Sequence, residues 1–259
     1  MNINSGKANH EQSDASSSDI RTVARVGQIC ALFGSHVQEL TASDIAARAG
    51  LNRTTAYRYC SSMVAAGILE RGSKRGRFAP GGLFIELGVR TLGRQKVIEV
   101  AAHHLRELRT ATRSTAVLSL RGIRGPVVAL VEEDTSRMVV LTVHVGTRLD
   151  ATAAQTHVFL ANSDASTFEA FASDLNSGER SRLRSNVTSA QREGYALARQ
   201  EGGVFAIGAP IYDESGLVAT IGVLGVGESR ETAKAITALH AAAGALSAEL
   251  GGEGVDRCR

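Results

Sequence analysis

The residues whose types and spacing promise chemistry are Arg53, Thr54, Tyr57 and Arg58, followed shortly by Lys74, Arg75 and Arg77. At helical spacing Arg53, Thr54, Tyr57, Arg58 and Ser61 share one side. Ala56, Tyr59, Cys60, Met63 and Val64 form an apolar stripe on the other. A guanidinium matches the paired acceptors on the major-groove edge of guanine, and hydroxyls match phosphate oxygens. The chemistry this pattern offers is non-covalent recognition of double-stranded DNA.

Charge supports the same reading. The chain of 259 residues has a formal net charge of +3. From Ile20 to Arg94, however, eleven Lys/Arg stand against four Asp/Glu, a local net of +7, while the stretches before and after are each −2. A basic segment on an otherwise mildly acidic chain is the footprint of a nucleic-acid-binding module. No apolar run reaches the roughly 18–20 residues that cross a bilayer. The opening MNINSGKANHEQSDASSSD lacks a signal-peptide core and is expected to be a solvated tail, in a cytoplasmic protein. Cys30, Cys60 and Cys258 have neither metal-site spacing nor an even count. No metal or cofactor is expected.

The elements that must position the basic face can be read next. Helix 1 is predicted from Ile20 to Phe33, with Val23, Val26, Ile29, Cys30 and Phe33 on one side. Thr41-Ala42-Ser43-Asp44 is a capping box that starts helix 2, whose buried residues are Leu40, Ile45, Ala46 and Ala49. Gly50 supplies a turn, Asn52 an N-cap for helix 3, and Gly67 its end. Two helices joined by a Gly-containing turn make a helix-turn-helix, whose second helix lies in the major groove. Ile68–Arg71 and Arg77–Ala79 flank a basic turn, Gly72–Gly76, forming a wing suited to the DNA backbone or minor groove. The DNA-contact candidates are Thr41, Asn52, Arg53, Thr54, Thr55, Tyr57, Arg58, Lys74, Arg75 and Arg77. Cys60 and Met63 read as core filling.

Beyond the wing, Gly82–Arg94 reads as a linker helix, with Leu83, Leu87 and Leu92 available to a second subunit, and Val97–Thr112 as a further helix. The period then changes. Strands are expected at Thr115–Leu120, Pro126–Glu132, Met138–Val145, Tyr195–Arg199, Val204–Tyr212 and Leu217–Val226. Helical stretches are expected at Ala153–Ala161, Ser166–Leu175, Ser177–Glu193 and Glu231–Leu250. The fold class is therefore mixed: an N-terminal winged helix-turn-helix and a C-terminal α+β domain with an antiparallel sheet. The domain boundaries are a tail 1–19, a DNA-binding domain 20–81, a linker helix 82–95, an effector-binding and oligomerisation domain 96–251, and a flexible tail 252–259.

Catalytic signatures are absent: no Gly-x-Ser-x-Gly elbow, P-loop or His-Glu-x-x-His occurs. Gly222–Gly227 has spaced glycines without the dinucleotide pattern and reads as a strand end, as does the acidic cluster Glu132-Glu133-Asp134. His103 and His104 are adjacent and point apart, so they cannot share a metal. The chain is not expected to be an enzyme. The rival reading is a small-molecule enzyme whose basic N-terminal region is only an interaction module.

With these residues in place the chain resembles the IclR family of bacterial transcription regulators. The family pattern leucine-proline-lysine-serine-threonine-x-x-arginine corresponds to Leu51-Asn52-Arg53-Thr54-Thr55-Ala56-Tyr57-Arg58, with Asn for Pro. Arg25, Arg77-Phe78 and Ile85-Glu86-Leu87-Gly88 match further positions, and the similarity runs from about Thr22 to Leu250. The resemblance implies a GAF-like or profilin-like effector domain, a homodimer or homotetramer, and a pocket on one face of the sheet. The family's polar pocket signatures are altered here: Asp150–His157 replaces one segment, and Ala198, Ala206, Gly222 and Leu224 stand at the others. Thr152, Gln155, Thr156, His157, Ala206, Ile207, Gly208 and Gly222 are the effector-binding candidates. Loss of polar partners makes a small buried carboxylate costly. The expected effector is thus less anionic or more apolar than a two- or three-carbon acid, aromatic or lipid-like, or there is none.

Overall fold

The computed structural model describes residues 12–34, 37–136 and 141–252. They form two compact units, one ending at Thr91 and the other beginning at Leu92.

In the first unit α1 (Gln12–Cys30), α2 (Ala42–Ala49) and α3 (Arg53–Ala65) surround a core of Ile29, Ile45, Ala56, Cys60, Met63 and Leu69, closed by Phe78. Phe78 is fully buried, worth about 2–3 kcal/mol of apolar burial. Helix α1 starts at Gln12, ahead of the expected Ile20 and inside the stretch read as a tail. Low hydrophobicity argues against burial, but a helix satisfies its own backbone and does not require burial of every turn. The capping box is present: Thr41 Oγ1 accepts from Asp44 N at 3.2 Å, and Asp44 Oδ2 accepts from Thr41 N at 3.0 Å. Gly50 closes α2 at φ 63°, a left-handed conformation that a side chain disfavours. Asn52 Oδ1 then caps α3 through Thr55 N at 2.8 Å. Arg25 ties α1 to the end of α2, its Nη1 donating to Ala49 O at 2.8 Å.

The wing carries a strand that the sequence does not advertise. Strands β2 (Leu69–Arg71) and β3 (Arg77–Pro80) form the expected hairpin, and β1 (Leu40–Thr41) joins β3 as a third strand. Leu40 pairs with Phe78 and Thr41 with Arg77. Leu40 was expected to belong to helix 2; two residues are too few to carry a period. Helix α4 (Gly82–Leu92) follows, with no buried residue.

The second unit is an α+β domain on a five-stranded antiparallel sheet, ordered β5-β4-β8-β7-β6. Its strands are β4 (Thr115–Gly122), β5 (Gly125–Glu132), β6 (Ala196–Arg199), β7 (Val204–Asp213) and β8 (Gly216–Val226). Period-2 alternation divides β7: Phe205, Ile207, Ala209 and Ile211 point into a core with α5 (Lys96–Thr112) and α9 (Ser229–Glu249). On the other face lie α6 (Ala154–Ala161), α7 (Ala165–Phe171) and α8 (Ser177–Glu193).

The expected strand Met138–Val145 is corrected. Its first three residues lie outside the described ones, and residues 141–145 form no strand. The β-rich composition reports fitness for a pleated surface, not the existence of a free partner. Both neighbours of β4 are already taken by β5 and β8. The outer edge of β5 is occupied by the next stretch of chain, where Val128 N donates to Thr147 O at 2.9 Å and Leu149 N to Pro126 O at 2.9 Å.

Candidate nucleic-acid interface and effector cavity

Capping and the core stripe fix the rotation of α3, and with it the exposed face. Arg53, Thr54 and Tyr57 lie together on that face, all exposed. Arg58, one helical turn beyond Thr54, is exposed as well, and Thr55 is half-buried; both border an open groove of about 530 Å³ between α1 and α3, with Val26, Tyr59 and Met63 in its lining. Asn52 and Thr41 are present at the helix starts, but their side-chain oxygens are engaged in the caps. On the wing Lys74 and Arg75 are exposed and Arg77 is half-buried.

Two residues at this interface escaped the sequence reading. Arg71 of β2 places its guanidinium 5.0 Å from the Phe78 ring centre and 5.8 Å from that of Tyr57. Tyr57 stands edge-on to Phe78, with ring centres 6.2 Å apart. The Arg71 guanidinium holds the Tyr57 hydroxyl below the ordinary tyrosine pKa. Glu39 accepts from Ser73 N at 2.6 Å and so pins the wing turn. That bond, reinforced more weakly by Arg77 and Lys74, holds its carboxyl below the usual range. A charge of the right type on each was visible in the sequence, but only the three-stranded wing brings them to these positions.

The second unit contains a cavity of about 260 Å³. Thr147, Arg148, Leu149, Asp150, Thr152 and Ala153 form one wall; Ala198, Gln200, Val204, Ala206 and Leu224 form the other. Of the effector candidates only Thr152 and Ala206 line it, together with Ala198 and Leu224 at two of the altered family positions.

The other candidates sit elsewhere. Gly208 and Gly222 are cross-strand neighbours, and a Cβ on either would come within 2.9 Å of Gln155. Their missing side chains let the start of α6 lie directly on the sheet. There Gln155 Nε2 donates to Thr220 O at 2.9 Å, a buried helix-to-sheet tie. Ile207 points to the opposite face, in the α5/α9 core. Thr156 is fully buried and its hydroxyl has no hydrogen-bond partner. His157 is buried, with Nε2 2.9 Å from Ala151 O and Nδ1 unpartnered. Burial pushes its pKa down, against smaller opposing effects of the Ala151 carbonyl and Asp150.

No described helix is long and apolar enough to cross a membrane. Among the described residues no group of three or more His, Cys, Asp or Glu is placed to hold a metal. Spaced-glycine Gly222–Gly227 lies largely in β8, and Glu132 ends β5, as their strand-end readings require.

The comparisons with known proteins agree with this architecture. Residues 22–73 match the IclR helix-turn-helix domain, and residues 89–248 the bacterial transcriptional regulator IclR C-terminal domain. No curated protein matches. Among solved structures, an IclR transcriptional regulator from Silicibacter sp. TM1040 superposes with TM-score 0.80 at 20% identity, over 91% of this chain and 98% of that one. One from Alicyclobacillus acidocaldarius gives 0.68 at 22% identity, over 89% and 99%. An IclR homologue from Microbacterium hydrocarbonoxydans, solved in complex with 4-hydroxybenzoate, gives 0.68 at 24% identity, over 88% and 98%. With a matched helix-turn-helix model ahead of a matched C-terminal model that spans more than half its length, the chain belongs to the IclR family of DNA-binding bacterial transcriptional regulators.

Proposed function

We propose that this regulator is ligand-responsive and acts as an oligomer on DNA in the cytoplasm, with residues 20–81 contacting the operator and residues 96–251 sensing a small organic molecule. The observation that carries the DNA half is the shared exposed face of Arg53, Thr54 and Tyr57 beside the basic wing. The sensing half rests on the cavity, whose sheet-side wall of Ala198, Val204, Ala206 and Leu224 is apolar apart from the neighbouring Gln200. Such a wall favours an effector with an apolar body over a two- or three-carbon acid. The 4-hydroxybenzoate held by the Microbacterium hydrocarbonoxydans homologue is a ligand of that kind.

One recognition helix reads few base pairs, so useful specificity requires at least two copies on a symmetric site. Helix α4 supports a pairing surface: Ile85, Val89 and Leu92 recur at i, i+4 and i+7 and are 71%, 68% and 45% exposed. The expected contacts Leu83 and Leu87 flank this stripe. Ligand occupancy would bias the spacing of the paired DNA-binding units. The test is a gel-shift titration of the full chain on DNA from upstream of its own gene, beside sedimentation of Ile85→Glu. Specific DNA retardation and a dimer or tetramer that Ile85→Glu dissociates are the expected results. Absence of specific retardation, or an unchanged oligomer in the variant, would refute the corresponding half.

A further inference from the structure

The tip of the wing is held by a residue from outside the hairpin. Gly72 and Gly76 bracket Ser73, Lys74 and Arg75, and Gly76 is left-handed at φ 82°. Within the turn Gly72 N donates to Arg77 O at 2.9 Å, and Arg77 N to Lys74 O at 3.2 Å. The Ser73 amide is taken instead by Glu39, whose Oε1 accepts from it at 2.6 Å. Strand β3 lies between β1 and β2, so the Glu39 side chain, just ahead of β1, spans β3 to reach the turn that follows β2. Gly72 makes room for it: a Cβ there would stand 3.0 Å from Glu39 Cδ. Glu39 is half-buried, whereas Ser73, Lys74 and Arg75 are exposed. Its carboxylate lies within electrostatic reach of Arg77 and Lys74. A negative charge on a surface suited to phosphates lowers affinity by itself, so any gain lies in what it holds.

We propose that Glu39 is a positioning residue for DNA binding, pre-forming the wing tip that presents Lys74 and Arg75 to the phosphate backbone. The proposal rests on the reading of residues 20–81 as the operator-contacting unit. A turn with glycine at both ends samples many backbone conformations when free, and ordering it on DNA would weaken binding. The Glu39–Ser73 bond orders it during folding instead. A carboxylate accepting from a backbone amide makes one of the stronger hydrogen bonds, which suits this task.

The experiment is a gel-shift titration of the full chain on DNA from upstream of its own gene, comparing Glu39→Gln with Glu39→Ala. Both remove the charge, but only Gln keeps an acceptor for the Ser73 amide. The comparison is repeated in a Lys74→Ala/Arg75→Ala background. Thermal unfolding identifies which variants are folded, and Glu39→Leu takes the place of Glu39→Ala if the latter is not. Glu39→Ala should bind about fivefold more weakly than Glu39→Gln, and the gap should close in the Lys74→Ala/Arg75→Ala background. Equal affinities of the two, or tighter binding by Glu39→Ala, would overturn this proposal alone. So would a gap that persists undiminished without Lys74 and Arg75, because Glu39 would then act through the body of the unit. No specific retardation by the unaltered chain would overturn the operator reading, and this proposal with it.

Discussion

Arg71 stands over the Tyr57 ring at 5.8 Å, linking the wing to the recognition helix, and its presence there holds the Tyr57 hydroxyl below the ordinary tyrosine pKa. The buried Phe78 forms the third member, 5.0 Å below the same guanidinium. Tyr57 on the exposed face of α3 is thus oriented by a residue from another element. Arg71→Ala is expected to weaken DNA binding by roughly fivefold, with a shallower salt dependence if Arg71 also meets a phosphate. Loss of the Arg71 guanidinium should let the Tyr57 hydroxyl return upward toward the ordinary 10.0. Spectroscopic titration of tyrosinate, with Tyr57→Phe to identify the signal, separates this from a merely structural effect.

Asn52 and Arg53 are adjacent but have different work. The Asn52 side chain is spent on capping α3, whereas Arg53 is exposed. Asn52→Ala should lower stability by about 1 kcal/mol in chemical denaturation. Arg53→Ala should leave stability nearly unchanged and weaken specific DNA binding by about 1–3 kcal/mol. Gel-shift and denaturation measurements on both variants would expose an exchange of these roles.

Gly222→Ala tests the seating of α6. The added Cβ would stand 2.9 Å from Gln155 Cδ and from Ile207 O, so the helix or the strand must shift. A loss of about 1–3 kcal/mol is expected from overpacking. Gln155→Ala in the same background, which removes one clashing side chain, should recover part of it; no recovery would mean that the β7 carbonyl is the dominant obstacle.

His157 makes stability depend on pH. Its folded pKa lies below the ordinary 6.5 because burial disfavours the imidazolium. The unfolded chain therefore binds more protons in the window from 6.5 down to the folded value, and stability falls as pH is lowered through it. Asp150 and the Ala151 carbonyl oppose this depression without cancelling it. The difference in denaturation free energy between the unaltered chain and His157→Gln should change across that window. A constant difference from pH 5 to 7.5 would contradict a neutral buried His157.

Local chemistry made much of the first unit legible. Thr41 with Asp44, Gly50 and Asn52 are short-range signals whose partners lie within a few residues, and each acts as its type requires. The spacing of Ala56, Cys60 and Met63 likewise determined which side of α3 faces inward and which faces solvent. Strand β1 was not legible, because Leu40 finds Phe78 across a long stretch of sequence. In the second unit the strands of the sheet could be read from alternation and turns, except that Leu141–Val145 has strand composition but no sheet edge to join.

By itself, then, the sequence determined the basic recognition helix, its caps, the hairpin and most helices, since these follow from periodicity and neighbours close in the chain. The tertiary structure alone decided the rest. It turned Gln155, Gly208 and Gly222 into a packing contact, sent Ile207 to the far face, and assembled a cavity wall around Arg148. The physical reason is that strand order and the path of residues 147–153 across the sheet are long-range choices. Residue type and local spacing carry no record of them.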